Sequence, residues 1–289
     1  MKVFVAGGIN TDISGTPDLP LCLRDSNIGR IIARPGGVGR NIAENLAHLG
    51  CSVQLISALG DDAFSEGLRS HCMQNGIGLD YAITLPGLMG GVYLCINDNC
   101  ADMYLALNDM RAMKFLTPDR IDMQVVNSAD ALVLDANICD ETLQFLSKHA
   151  KIPIFADPVS VAKSQRMACI LPYIHTIKPN IYEARSLTSE TDPVCCAKAL
   201  VRMGVKRAFV SLGALGMAYA DATSCGHTLS APIQPVNTTG AGDSATAALC
   251  AAYLAGYSIE RSAHFACEIA SLTLMSENTV SEAVFPAIF

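Results

Sequence analysis

Short apolar runs rich in strand-forming residues alternate with helical stretches along most of this chain, and that alternation constrains the fold more than any other feature. The runs are Lys2 to Ala6, Ser52 to Ala58, Ala131 to Leu134, Ile154 to Ala156, Thr176 to Ile177 and Arg207 to Ser211. Strands separated by helices read as βα units, which build a mainly parallel sheet covered by helices on both faces. The expected fold class is therefore α/β. Ligands of such sheets bind beyond the carboxyl ends of the strands.

Two stretches break the alternation, Asp12 to Pro35 and Gly90 to Asn108. Both read as extended segments and turns without a helix. The second contains Gly91-Val-Tyr-Leu-Cys-Ile-Asn97, a polar Asp-Asn turn and Met103-Tyr-Leu-Ala-Leu107, which together predict a hairpin. A small sheet over the mouth of the main one and an ordinary pair of edge strands both fit this pattern. Near the other end, Ala241 to Leu254 and Ser258 to Met275 read as helices rich in small residues. No repeat, linker or low-complexity stretch divides residues 1–289, so a single domain with insertions at about 12–35 and 90–108 is expected.

Composition narrows the classes of function. Of the 289 residues 51% are hydrophobic and 16% charged, enough apolar material for a packed core. A net charge of -7 disfavours a nucleic-acid polymer as partner, and no run of about 18 apolar residues suggests a membrane span. The N-terminal MKVFVAGGIN fits a first strand better than a secretory signal, so a soluble, cytoplasmic protein is expected. Twelve cysteines are scattered without a Cys-x-x-Cys pair, which favours buried reduced thiols. Adjacent Cys195 and Cys196 lack partners at metal-ligand spacing.

The most informative segment is Thr239-Gly-Ala-Gly-Asp243, between a β-like run and a long helix. Glycines permit a tight turn that presents backbone N–H groups to an anion, and the helix start adds its positive dipole end. Asp243 would lie beside a phosphoryl group, able to take a proton from an attacking hydroxyl. An N-cap or first-turn acid is the competing reading of the same residue. Near the N-terminus, Gly36-Gly-Val-Gly-Arg-Asn41 opens a helix that Gly50 stops. Asn41 has the donor and acceptor needed for vicinal hydroxyls. Asn10 and Asp12 follow the first strand; Asp12 suits sugar hydroxyls or an Asx-turn.

Taken together, Gly36-Gly-Val-Gly-Arg-Asn41 and Thr239-Gly-Ala-Gly-Asp243 resemble the paired motifs of the ribokinase-like (PfkB) carbohydrate kinases. Asp157-Pro158, Lys178-Pro-Asn-x-x-Glu183 and Ser211-x-Gly-x-x-Gly216 fall in that family's order. The resemblance covers nearly the whole chain, to about Met275, and is closest to the family's pseudouridine-kinase branch. It implies a ribokinase-like three-layer fold with a small β-sheet lid, and ATP-dependent phosphorylation of the 5′-hydroxyl of pseudouridine. Another nucleoside or a simple sugar such as ribose is the alternative acceptor. A catalytically weak binding protein is the alternative of another class, against which Asp243, Asn180 and Glu183 argue. A dinucleotide-binding dehydrogenase is disfavoured because Gly36-Gly-Val-Gly39 does not follow the first strand.

The resemblance also implies roles for single residues. Asp243 would be the base, with the N–H groups of Gly240, Ala241 and Gly242 stabilising phosphoryl charge. Asn10, Asp12, Gly36, Gly37 and Asn41 would hold the sugar. Asn108 and Asp109 would read a base, or merely form the hairpin's end. Asn180, Ser211, Gly213, Gly216 and Thr239 would bind ATP, and Glu183 would organise Mg²⁺ indirectly. Without the resemblance Glu183 reads as a solvated helix acid and Asn180 as an N-cap. Lys178 reads as a structural strand-end lysine or a phosphate neutraliser. Asn237 stands where many relatives carry an Asp that helps bind a monovalent cation, so the resemblance leaves the cation requirement open. A homodimer through the lid is also implied, and the tail after Met275 aligns poorly, leaving adenine contacts open.

Overall fold

The computed structural model describes residues 1–100, 102–283 and 288. The strands are β1 (Lys2–Ala6), β2 (Asn10–Pro17), β3 (Gly29–Gly36), β4 (Ser52–Ile56), β5 (Ala58–Gly60), β6 (Ile77–Gly78), β7 (Ile83–Leu85) and β8 (Gly91–Asn97). They continue with β9 (Met103–Asp109), β10 (Ala131–Asp135), β11 (Ile154–Asp157), β12 (Thr176–Ile177), β13 (Arg207–Ser211), β14 (Met217–Ala220) and β15 (Cys225–Thr228). The α-helices are α1 (Val38–His48), α2 (Ala63–Gln74), α3 (Met123–Val126), α4 (Asp140–His149) and α5 (Val161–Ser164). After these come α6 (Ile181–Thr188), α7 (Pro193–Arg202), α8 (Ala241–Leu254) and α9 (Ile259–Leu274).

Among the described residues one sheet has nine strands in the order β15-β14-β13-β12-β11-β10-β1-β4-β6. Pairing is parallel from β6 to β13 and antiparallel through β14 and β15. The alternation of side chains along β1 explains the layers. Val3 and Val5 enter a core shared with α1, α2, α8 and α9, whereas Phe4 and Ala6 enter one shared with α4, α6 and α7. A strand buried on both faces has to be apolar throughout, as Val3–Ala6 is. The chain leaves β1 for β4 on one side and later returns to β10 on the other. That reversal opens a crevice at the carboxyl ends.

The stretches without helices form a separate four-stranded sheet, ordered β3-β2-β8-β9. Its register places Arg34, Asp12, Tyr93 and Asn108 in one row. Cross-strand partners share a face, so Asn10, Asp12, Ser14 and Thr16 belong to one polar face. Ile13, Ile31, Ala33, Leu94, Ile96 and Leu107 belong to the other.

Several boundaries differ from the expected ones. Ser52 to Ala58 is not one strand: it breaks at Ser57, whose buried hydroxyl donates to the Gly7 carbonyl at 2.6 Å, and Ala58 onward pairs with β7 instead. The antiparallel strands β14 and β15 were not foreseen, because Met-Ala-Tyr-Ala and Cys-Gly-His-Thr lack a β-branched apolar run. The cysteines correct the burial reading. All twelve are free, but Cys22, Cys100, Cys169, Cys195 and Cys225 are exposed and only five are buried. Among the described residues no helix is long and apolar enough to cross a membrane.

Candidate active site

Helix α8 starts at Gly240, whose φ of 86° is left-handed. A Cβ there would also strike the Thr279 carbonyl, so glycine is required twice over. The first N–H groups of a helix have no partner within it, and those of α8 lie at the sheet's carboxyl end. Asp243 is in this first turn. Part of its surface stays open to the cleft, while Asn41 Nδ2 donates to its Oδ2 at 2.6 Å. Burial, with the nearby charge of Asp157, pushes the Asp243 carboxyl up to about 7, against the hydrogen bond from Asn41 and the charge of Lys178.

The strand ends supply the groups around it. Strands β10 and β11 finish on Asp135 and Asp157, which are register partners. Asp135 is wholly buried and accepts the N–H groups of Gly8 and Asn137, each at 2.8 Å. Burial raises its pKa. Lys178, just beyond β12, is buried with Nζ 3.3 Å from Asp157 Oδ2. The Thr246 hydroxyl on α8 donates to the same oxygen at 2.7 Å. Burial would lower the Lys178 pKa, but Asp157, Glu183 and Asp243 together raise it. Lys178 is therefore neither a surface lysine nor separated from the site: its Nζ lies beneath Gly242.

At the start of α1, Gly37 has φ 98° and a Cβ there would strike the Gly8–Ile9 backbone, so glycine lets α1 sit against the end of β1. The Asp12 carboxyl rests against Gly36 and accepts from Asn10 Nδ2 at 2.5 Å. Burial raises the Asp12 pKa, with Asn10 and the charge of Arg40 opposing it. Asn108 shares the face of Asp12, two strands away. Asp109 does not, being on the opposite face, and Arg111 Nη2 binds it at 2.6 Å. Asn108 and Asp109, expected together at the hairpin's edge, thus face opposite sides of the small sheet, because adjacent strand residues point to opposite faces.

On the other flank, Asn180 is the N-cap of α6 in a capping box. Its Oδ1 accepts from the N–H groups of Tyr182 and Glu183, and Glu183 Oε2 accepts the Asn180 N–H at 2.8 Å. Glu183 is buried, which overturns its reading as a solvated acid, and burial raises its pKa. The Ser211 N–H donates to the Pro179 carbonyl at 3.0 Å, bringing β13 beside this cap. Gly213 and Gly216 form the exposed-to-buried turn that follows. Thr239 is exposed, and its N–H reaches Asn237 Oδ1 at 3.0 Å. Asn237 Nδ2 in turn donates to the Glu277 carbonyl at 3.3 Å, an interaction that an Asp could not make. Residues 284–287 and 289 of the poorly aligning tail lie outside the described residues.

Sequence reasoning did not single out Asp135, Thr246 or Arg40. An acid terminating a fully apolar run, as in Leu134-Asp135 and Ala156-Asp157, was the available signal for the strand-end carboxylates. Among the described residues no group of three or more His, Cys, Asp or Glu is arranged to hold a metal ion.

A large, mainly parallel sheet with helices and a smaller separate sheet agree with the comparisons. Residues 2–284 match the pfkB family carbohydrate kinase. The chain belongs to that family. This kinase is 36% identical to the pseudouridine kinase of Escherichia coli (strain K12), over 96% of the chain and 91% of the relative. It is 34% identical to an uncharacterised sugar kinase of the same organism, over 94% and 78%. The crystal structure of a putative sugar kinase from Clostridium perfringens superposes with a TM-score of 0.88 at 30% identity, covering 99% of this chain and 92% of that one. The kinase has the ribokinase-like fold and is a phosphotransferase that acts on an alcohol group, using ATP with Mg²⁺ as kinases of this family do. Asp135, Asp157, Glu183 and Asp243 outnumber Lys178 and Lys163 among the groups that sense one another here, a surplus of carboxyl groups that suits a divalent cation carried on phosphates.

Proposed function

We propose that this kinase transfers the γ-phosphate of ATP to the 5′-hydroxyl of pseudouridine, giving pseudouridine 5′-phosphate and ADP, with Asp243 as the base. The observation that carries the base assignment is a carboxyl pushed up to about 7, open to the crevice, at the head of α8. A base is most useful when its pKa lies near the working pH, because it is then both ionised and willing to take a proton. Asp243 takes the hydroxyl proton as the oxygen attacks, and the N–H groups of Gly240, Ala241 and Gly242 face the oxygens of the phosphoryl group. Asn10, Asp12, Gly36 and Gly37 hold the sugar, and Asn41 holds both sugar and base. Thr239, Asn180, Ser211, Gly213 and Gly216 bind ATP. When bound, Mg²⁺ offsets charge on the phosphates, and Glu183 is the residue that would organise it, through groups between them.

The acceptor rests on the likeness to the Escherichia coli enzyme and on Asn108, which shares the face of Asp12 and supplies a donor and an acceptor for a base. The four-stranded sheet acts as the lid, excluding water from phosphoryl transfer. Its apolar outer face seats a second copy of the chain. Twelve free thiols fit a reducing, cytoplasmic setting.

The test is ADP release from Mg·ATP with pseudouridine, uridine, cytidine, adenosine and ribose as acceptors. Pseudouridine should give the highest kcat/KM, by about tenfold or more over uridine, since one base-edge contact accounts for on the order of 1–3 kcal/mol. A higher kcat/KM for ribose would replace the nucleoside reading by a simple-sugar one.

A further inference from the structure

We infer that Arg40 is a positioning residue for the catalytic base, acting through Asn41, because it fixes which end of the Asn41 amide Asp243 meets. The inference rests on the reading of Asp243 as the base. Arg40 carries the only charge inside Gly36-Gly-Val-Gly-Arg-Asn41, yet its side chain is 2% exposed. A guanidinium is not buried without a full set of acceptors.

Those acceptors are present. Nε donates to the Gly36 carbonyl at 3.3 Å and Nη2 to the Pro35 carbonyl at 2.8 Å. Nη1 pairs with the buried carboxylate of Glu44 one turn along α1. His71 Nε2 on α2 binds the same Glu44 oxygen at 2.9 Å. Burial alone would raise the Glu44 pKa, but His71 and Arg40 outweigh it and hold the carboxyl below its usual range. Finally, Nη2 donates to Asn41 Oδ1, and the Thr279 hydroxyl donates to that oxygen at 3.3 Å.

The consequence is chemical. Arginine has donors only, so the Asn41 end it touches has to be the oxygen. Nδ2 is then left facing Asp243 Oδ2 at 2.6 Å. Turned over, the amide would set its oxygen against a carboxylate at that separation and its NH₂ against a guanidinium. Arg40 thus holds the base in a donor's grip without touching it. Pro35 and Gly36 end β3, so the same side chain also ties the base to the root of the small sheet.

Arg40→Lys keeps a charge for Glu44 but has no second arm for Asn41. Its kcat for ATP-dependent phosphorylation should fall about tenfold, with KM for ATP within about twofold of the parent. In an Asn41→Ala background the same substitution should change kcat less than about twofold, since the path it acts through is gone. Equal fold losses in both backgrounds would overturn the inference, as would an unchanged kcat in Arg40→Lys alone. Should Arg40→Lys fail to fold, Glu44→Gln tests the same chain: it should lower kcat several-fold in the parent and not in Asn41→Ala, and equal effects would again overturn it. Asp243→Asn separates the two readings. If it turns over normally, the base assignment fails; if it is inactive while the cycle shows no coupling, only the role of Arg40 fails.

Discussion

Lys178 shows how a single residue can be necessary and expensive at once. Its ammonium is buried beneath α8 and offset by Asp157, with Thr246 completing the carboxylate's hydrogen bonding. Removing one member of a buried pair leaves the other unpaired, at a cost of about 3–5 kcal/mol. Lys178→Met should therefore lower the urea midpoint sharply, and Asp157→Asn added to it should restore much of the loss. An unchanged midpoint in the single variant would mean the pair contributes nothing. From sequence, Lys178 stood between a strand-end lysine and a phosphate neutraliser, since one letter carries no information about which carboxylate lies opposite. Asp135 and Asp157 end two strands and Lys178 follows a third, and only the register of those strands brings them together.

At the scale of elements, local chemistry was legible wherever a segment decided its own structure. The bounds of α8 were readable from Ala241 to Leu254, and α9 begins one residue inside the expected start because Ser258 is its N-cap. Segments whose strand character comes from neighbours, such as β14 and β15, were not readable. The small sheet was legible as extended chain, but its faces emerge only from the parallel pairing of β2 with β8. That pairing gathers the polar residues on one side and leaves Ile31 77% and Leu107 64% exposed on the other. Contiguous exposed apolar surface favours association. In sedimentation, the protein should run as a dimer, and Leu107→Lys should weaken it at least about tenfold, roughly 1.4 kcal/mol. A parent that stays monomeric at high concentration would remove the lid from the proposed interface.

For the whole molecule, the parallel strands β6 to β13 of the large sheet put their carboxyl ends on one edge, and the chain's two glycine motifs meet there although they lie near opposite ends of the sequence. Asn41 and Asp243 are 202 positions apart and joined by one hydrogen bond. The paired motifs made the family legible; the geometry that holds Asp243 was not, because it depends on a buried arginine that reads from sequence as one more charge. The central claim is that Asp243 takes the proton, and the most direct measurement is kcat against pH for the parent and Asp243→Asn at saturating Mg·ATP and pseudouridine. The parent should lose activity as pH falls through about 7, where the carboxyl becomes protonated, and general-base removal should lower kcat by about 10²–10⁴ with ATP binding retained. Near-parental turnover in Asp243→Asn, with the same acid limb, would contradict the account.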